Sequence, residues 1–242
     1  MRHIIKRFLD GPSLPDKQNE ELEFWKHELK NYADWYSGVK PELYGVKSPT
    51  KHQKIEVRDK QDSAILTWLE MHQKVKYAKD LQIPVAALKG KKVLDVGAGP
   101  MPSGTVFQDV ELYCLDPLYG QYISSGFPMH YYDRTHFINA PSENIPVEDN
   151  FFDVIISVNA IDHVDDFHDT AQELKRVLKP NGKFAMHVHY HKATAAEPIE
   201  ITDEIFKKEY GWVKGLKRVA ASTKKTGSQA DEGEIYVLWK NF

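Results

Sequence analysis

Two carboxylates and two glycines carry the strongest chemical signal in this chain. Asp95 ends an apolar run (Val93, Leu94, then Val96) that opens into Gly97, Ala98 and Gly99. Glycine permits backbone angles and close approaches that a Cβ forbids. A glycine turn after a buried parallel strand is where an open α/β sheet receives a nucleotide-like ligand. A second apolar run, residues 112–115, ends in Asp116. That acid lies about twenty residues past the turn, where such sites place a carboxylate to accept hydrogen bonds from ribose hydroxyls. A lone G-x-G also fits an ordinary strand and loop, so the downstream order decides.

The elements that must position these groups follow in order. A third apolar run, residues 136–140, leads to Pro141, Ser142, Glu143 and Asn144. Residues 151–164 give a fourth strand and its terminal loop. A helix with Ala171, Leu174 and Leu178 on one face closes on Asn181-Gly182, a pair that stops helices. A fifth strand, residues 184–190, follows. Before the glycine turn, Asp16 is placed to cap a helix over residues 17–36. Its Leu22, Trp25, Leu29, Tyr32 and Tyr36 form one apolar stripe, with Phe24 and Trp35 beside it. A linker over residues 37–50 leads to a second helix over residues 59–80. That helix sets Ile65, Trp68, Leu69, His72, Val75 and Lys76 near one face and breaks before Ile83-Pro84. After residue 190, a short helix capped by Thr202 precedes two strands, residues 216–222 and 234–240, joined by a polar loop.

In these motifs the chain resembles the class I S-adenosylmethionine-dependent methyltransferases, in the small-molecule branch called type 11. The resemblance spans roughly residues 90–190. It rests on the VLDVGAG turn, the acid ending strand two, the SENIP segment, the FDVIIS strand and the helix ending RVLKPNG. It implies a Rossmann-like α/β fold with a seven-stranded, mostly parallel sheet, a C-terminal antiparallel hairpin and helices on both faces. An N-terminal helical extension or lid, residues 1–89, would precede a cofactor-binding domain, residues 90–242. The implied cofactor is S-adenosyl-L-methionine. Asp95, Gly97, Ala98 and Gly99 match the turn at its methionine end, and Asp116 with Pro117 matches the ribose grip. Ser142 and Glu143 match the pair beside the adenine, and Asn159 matches the strand-four loop beneath the sulfonium. The family's third glycine is replaced by Met101 between Pro100 and Pro102, so the next helix is expected to start late, near Gly104.

The implied reaction asks for alignment of an acceptor and, for a hydroxyl, removal of its proton. His163 and Asp162, on the loop after strand four, are candidate bases. His187, His189 and His191 share one face of strand five by their period of two. Such imidazoles can bind a transition metal, rim a pocket in which His189 serves as base, or pack structurally. The structural role is favoured, and no metal is assigned. The acceptor is expected to be a small molecule carrying a hydroxyl, such as a sugar, glycan precursor or natural-product intermediate. The alternatives are an N-methyltransferase, a catalytically silent cofactor-binding module and an NAD-dependent oxidoreductase. The last would need a longer glycine turn than Met101 allows.

Composition fits this reading. The chain has 242 residues and a net charge of −3, which disfavours nucleic-acid binding through bulk electrostatics. A basic cluster, Lys214, Lys217, Arg218, Lys224 and Lys225, reads as a solvated face. The single cysteine, Cys114, excludes an intrachain disulfide and reads as a buried thiol. Residues 1–15 make a poor secretory signal, and no apolar run has bilayer-spanning length. The expected protein is cytoplasmic and free of membranes, its oligomeric state unassigned.

Overall fold

The computed structural model describes residues 16–194, 197–225, 228–229 and 232–242. The signal reading at residues 1–15 and the side chains of Asp16, Lys224 and Lys225 lie outside the described set, and with them the capping role expected of Asp16. Helix α1 (Asp16–Ser37) leads to a two-residue hairpin, β1 (Glu42–Leu43) and β2 (Val46–Lys47), within the expected linker. Helix α2 (Lys60–Trp68) passes through a π turn (Leu69–Gln73) into α3 (Lys74–Leu81). Asp59 caps α2 by accepting from the backbone N–H groups of Gln61 and Asp62.

The main sheet has seven strands in the order β5-β4-β3-β6-β7-β11-β8. These are β3 (Lys92–Val96), β4 (Glu111–Leu115), β5 (Thr135–Ile138), β6 (Phe152–Val158), β7 (Leu178–Tyr190), β8 (Lys217–Ser222) and β11 (Ile235–Lys240). Among the described residues, two further short strands, β9 (Lys224–Lys225) and β10 (Ser228–Gln229), pair with each other. Strands β3 to β7 are parallel, whereas β11 runs antiparallel to both β7 and β8. This is the seven-stranded arrangement expected, with its terminal antiparallel hairpin. Chain order reverses direction at β3, which pairs with β4 on one side and β6 on the other. A crevice opens at such a switch point, above the carboxyl ends of the strands.

Apolar residues cover both faces. One layer unites Trp35, Trp68 and Leu81 of the N-terminal helices with Val93 and Ile156 of the sheet. The other packs Ala171, Leu174 and Val177 of helix α5 (Phe167–Val177), which follows the short helix α4 (Tyr119–Ser124), and Phe206 and Tyr210 of α6 (Asp203–Tyr210) against Phe184 and Val237. The N-terminal helices therefore share a core with the sheet. Thr202 caps α6 as expected, accepting from Ile205 N–H.

Four local expectations are corrected. Helix α5 ends at Val177, and Leu178 is already extended, opening β7. Asn181, with φ of +61°, turns the chain inside that strand, and the register against β6 shifts there. No α-helix follows the glycine turn. Pro100 and Pro102 remove backbone donors, and only a 3₁₀ turn (Ser103–Val106) forms. On α1 the deepest ring is Trp35, fully buried, while Phe24 is exposed. On the second helix the π turn, in which Lys74 N–H reaches Leu69 O, advances the inner face. Val75 is thereby exposed while His72 and Tyr77 are buried.

Candidate active site

Four consecutive strand ends deliver the predicted residues to one crevice. Gly97, Ala98 and Gly99 leave β3, and the N–H groups of Gly97 and Ala98 bond Leu115 O at 2.9 and 3.2 Å. Asp116 leaves β4, its two oxygens accepting from Gly99 N–H (3.0 Å) and Leu118 N–H (2.9 Å). Ser142 and Glu143 follow β5, and Asn159 follows β6 with φ of +54°. All of these, with Pro117, line one cavity of about 570 Å³, a size typical of small-molecule sites.

The turn cannot hold a larger residue. Gly97 has φ of +65°, and a Cβ there would collide with Ala160 Cβ. A Cβ on Gly99 would lie 3.2 Å from the Trp25 ring. The glycines therefore keep the crevice floor open beneath α1 and the loop after β6. Asn159 Oδ1 is buried without a hydrogen-bond partner. An open cradle, an orphaned acceptor and a ribose-type carboxylate suit an adenosyl sulfonium whose amino acid end carries N–H donors.

Asp95 is placed differently from the expectation. It is absent from the cavity wall, lies fully buried under the turn and accepts a hydrogen bond from Tyr77. Strand alternation turns it into the core layer beneath α3. Burial pushes both Asp95 and Asp116 up to about 7. Ser142 bonds Thr170 Oγ1 at 3.1 Å, and Glu143 accepts from the N–H groups of Asp165 and Asp166. Beyond facing the cavity, Glu143 thus secures the loop after β6.

Of the candidate bases, only His163 faces the cavity. Its Nδ1 lies 3.3 Å from Glu21 Oε2 and its Nε2 3.5 Å from Glu197 Oε1. Burial disfavours its charge, but Glu197, Asp162 and Glu21 outweigh burial and hold it up at about 9. Asp162 is fully buried, and its Oδ2 lies 3.2 Å from His191 Nε2. His189 lies 2.9 Å from Glu234. Asp162 and His189 stand behind the cavity wall because their strand face and 3₁₀ turn point to the layer beneath it.

The sequence reading missed the far end of the cavity. Glu28, Tyr32, Tyr44, Trp68, His72 and Gln73 line it from α1, the β1–β2 hairpin, the end of α2 and the π turn. Burial pushes His72 down to about 4, and its ring lies 4.5 Å from that of Trp68. Trp68 Nε1 is buried without a partner. The available signal was the run of aromatic and His residues on the second helix, which serves a core face equally well. Helix α1 is latched over the crevice by Lys17, which bonds His163 O at 2.8 Å and pairs with Asp165. Trp25 Nε1 bonds Glu21 Oε1 at 3.0 Å. Cys114 is fully buried, and burial holds its thiol well above the ordinary range.

Comparison with known proteins follows the same geometry. Residues 94–186 match the family model described as a methyltransferase domain, type 11. A Mycobacteroides abscessus protein described as an uncharacterized methyltransferase is 31% identical over 100 residues, 40% of this chain and 39% of that protein. The chain thus matches about two-fifths of that relative's length. The YcgJ protein of Bacillus subtilis superposes with a TM-score of 0.53 at 17% identity, covering 70% of this chain and 98% of that one. A SAM-dependent methyltransferase from Aquifex aeolicus superposes with a TM-score of 0.50 at 18% identity, covering 73% and 93%. At these identities the two structures speak for the fold. Among the described residues no helix is long and apolar enough to cross a membrane. A glycine cradle at the switch point, a carboxylate after β4 and the family match over that core agree: residues 94–186 match the type 11 methyltransferase domain, on a fold shared with solved methyltransferases.

Proposed function

We propose that this protein transfers a methyl group from S-adenosyl-L-methionine to a hydroxyl of a small molecule such as a sugar, glycan precursor or natural-product intermediate. One observation carries the reading. A single cavity joins the glycine cradle to an aromatic chamber that holds His72, an imidazole kept neutral by burial.

The bound cofactor supplies a methyl already activated on a sulfonium. The backbone of Gly97 to Gly99 would admit its amino acid end, Asp116 would receive the ribose, and Ser142 with Glu143 would border the adenine. Asn159 would face the sulfonium. Helix α1 acts as the lid of this site, latched through Lys17. Trp25, Tyr32 and Trp68 offer ring faces against which a sugar or ring system stacks. His72 is the group able to accept a hydroxyl proton. His163, held as a cation by its carboxylate neighbours, serves as a charge partner in place of the base expected of it, and Asp162 and His189 lie behind the wall.

Incubating the protein with methyl-labelled cofactor and a panel of hydroxyl, amine and carboxylate acceptors tests the reading. Label transfer to a hydroxyl is expected, with His72→Gln lowering kcat while leaving cofactor affinity within about twofold. Turnover on amines alone rejects the hydroxyl. One observation favours that second reading: Glu21 and Glu28 line the cavity beside Trp25 and Tyr32, an arrangement that attracts a cation. Cofactor binding without turnover on any acceptor supports a silent module of the same fold.

A further inference from the structure

At the cavity wall, Asp162, His189 and His191 behind it and Glu197 in it each offer one ligand atom, and these four atoms all lie within 4.8 Å of one another. We propose that this cluster binds a divalent transition-metal ion of the zinc class, which ties the loop after β6 to the segment after β7. The donor set is two imidazoles and two carboxylates, so a doubly charged cation balances both acids. Imidazole nitrogen with carboxylate oxygen in a set of four suits tetrahedral zinc.

The details around the cluster resemble those that orient metal ligands. His191 Nδ1 lies 2.7 Å from Lys192 O. A carbonyl only accepts, so Nδ1 carries a proton and Nε2 is the nitrogen that points inward. Nε2 faces Asp162 Oδ2 at 3.2 Å and Glu197 Oε2 at 3.8 Å. A metal ion would take the place of the proton that this nitrogen otherwise shares with Asp162. His189 Nε2 lies 2.9 Å from Glu234 Oε2, a carboxylate–histidine pair of the kind that fixes a ligating ring with its other nitrogen as donor.

A second, independent observation comes from Asp162. Its side chain is fully buried, and Oδ1 has no hydrogen-bond partner. A buried carboxylate oxygen left unsatisfied is costly, and coordination removes that cost. Zinc–ligand bonds of about 2.0–2.1 Å place tetrahedral donors about 3.4 Å apart. The Asp162–His191 pair already stands near that separation, and the others need only short side-chain rotations.

The site would set the geometry of the cavity without entering it. Glu197 spans the two regions, its Oε2 toward His191 and its Oε1 3.5 Å from His163 Nε2. The backbone N–H of Ile199 also reaches Asp162 O at 3.3 Å. An ion here would fix the wall that carries His163 and Glu197 against the acceptor. The inference does not depend on which acceptor is methylated.

The test uses the full chain, free of any affinity tag and stripped with chelator, titrated with zinc chloride by calorimetry and with cobalt(II) by absorption spectroscopy. One equivalent is expected to bind with sub-micromolar affinity, to give the intense visible bands of four-coordinate cobalt, and to raise the Tm. His191→Gln and Glu197→Gln should each weaken binding at least tenfold and abolish the Tm rise. Glu197 is half-buried on a loop, so its variant decides the matter if His191→Gln does not fold. No saturable binding to the wild-type chain overturns the site. So does binding of equal strength in the Glu197→Gln variant, which would place the ion elsewhere.

Discussion

Gly97→Ala strikes the cradle directly, and its effect can be worked from two separate costs. The backbone at Gly97 has φ of +65°, where an L-residue is disfavoured by roughly 1–2 kcal/mol. The new methyl would also meet Ala160 Cβ, an overpacking that costs about 1–3 kcal/mol. Together these predict a loss of about 2–5 kcal/mol, shared between folding stability and cofactor affinity. If the turn stays rigid, the loss appears in unfolding. If the loop after β6 yields, Asn159 and Ala160 shift and the loss appears in binding. Calorimetry with the demethylated cofactor gives the binding share, and denaturant unfolding of the ligand-free chain gives the other. The double variant Gly97→Ala/Ala160→Gly removes the collision and leaves the backbone strain. It should recover the steric part and no more, which makes a mutant cycle with a signed coupling. A summed loss below about 1 kcal/mol, or no recovery in the double variant, would refute the claim that these two loops enclose the cofactor by contact at Gly97.

Further outcomes follow from other parts of the site. Burial raises Asp116 to about 7, so the ligand-free folded chain holds a proton there that the unfolded chain releases near pH 4. This group's contribution to stability therefore falls as pH rises from about 4 to 7. Ribose hydroxyls favour the charged form, so affinity for the demethylated cofactor should increase between pH 6 and 8. Calorimetry at pH 7 in buffers of different ionisation heat should show proton release on binding, and its absence would contradict the assignment. Trp25 stands over Gly99 and meets Tyr122 and Phe127 edge-on at ring distances of 6.5 and 6.2 Å. Trp25→Ala should weaken cofactor binding about tenfold, roughly 1.4 kcal/mol, and a fluorescence titration showing unchanged affinity would deny α1 its place as a lid. Leu174 is fully buried between α5 and the sheet. Leu174→Ala should cost about 2–5 kcal/mol and lower the Tm by roughly 5–15 °C, with cofactor affinity retained in the folded fraction.

The parallel half of the sheet was legible because its determinants are local. Continuous apolar runs ending in glycine or aspartate mark buried strands, and Gly97 and Asp116 follow from counting along them, whereas Ser142 and Asn159 came from the family resemblance. Helix ends were less legible. Val177 and Leu178 are equally apolar, and only pairing of Leu178 with Phe152 on β6 draws it out of α5 and into β7. The π turn at residues 69–73 carries no sequence signature, yet it sets His72 and Tyr77 inward. Spacing gave Asp95 and Asp116 the same strand-end role, but tertiary packing set one beneath Tyr77 and the other on the cavity wall.

Strand period and residue type, properties that neighbours in the chain settle among themselves, determined the sheet and its glycine cradle, and the resemblance carried by those motifs implied the cofactor. What stands across the cavity from that cradle depends on contacts between segments far apart in sequence. Lys17 with His163, Trp25 with Gly99, Glu197 with His163 and Asp162 with His191 meet only once the sheet has formed. Burial and mutual charge at those meetings, and not residue type, make His72 neutral and His163 a cation. For that reason the acceptor side and the histidine–carboxylate cluster belong to the folded molecule alone.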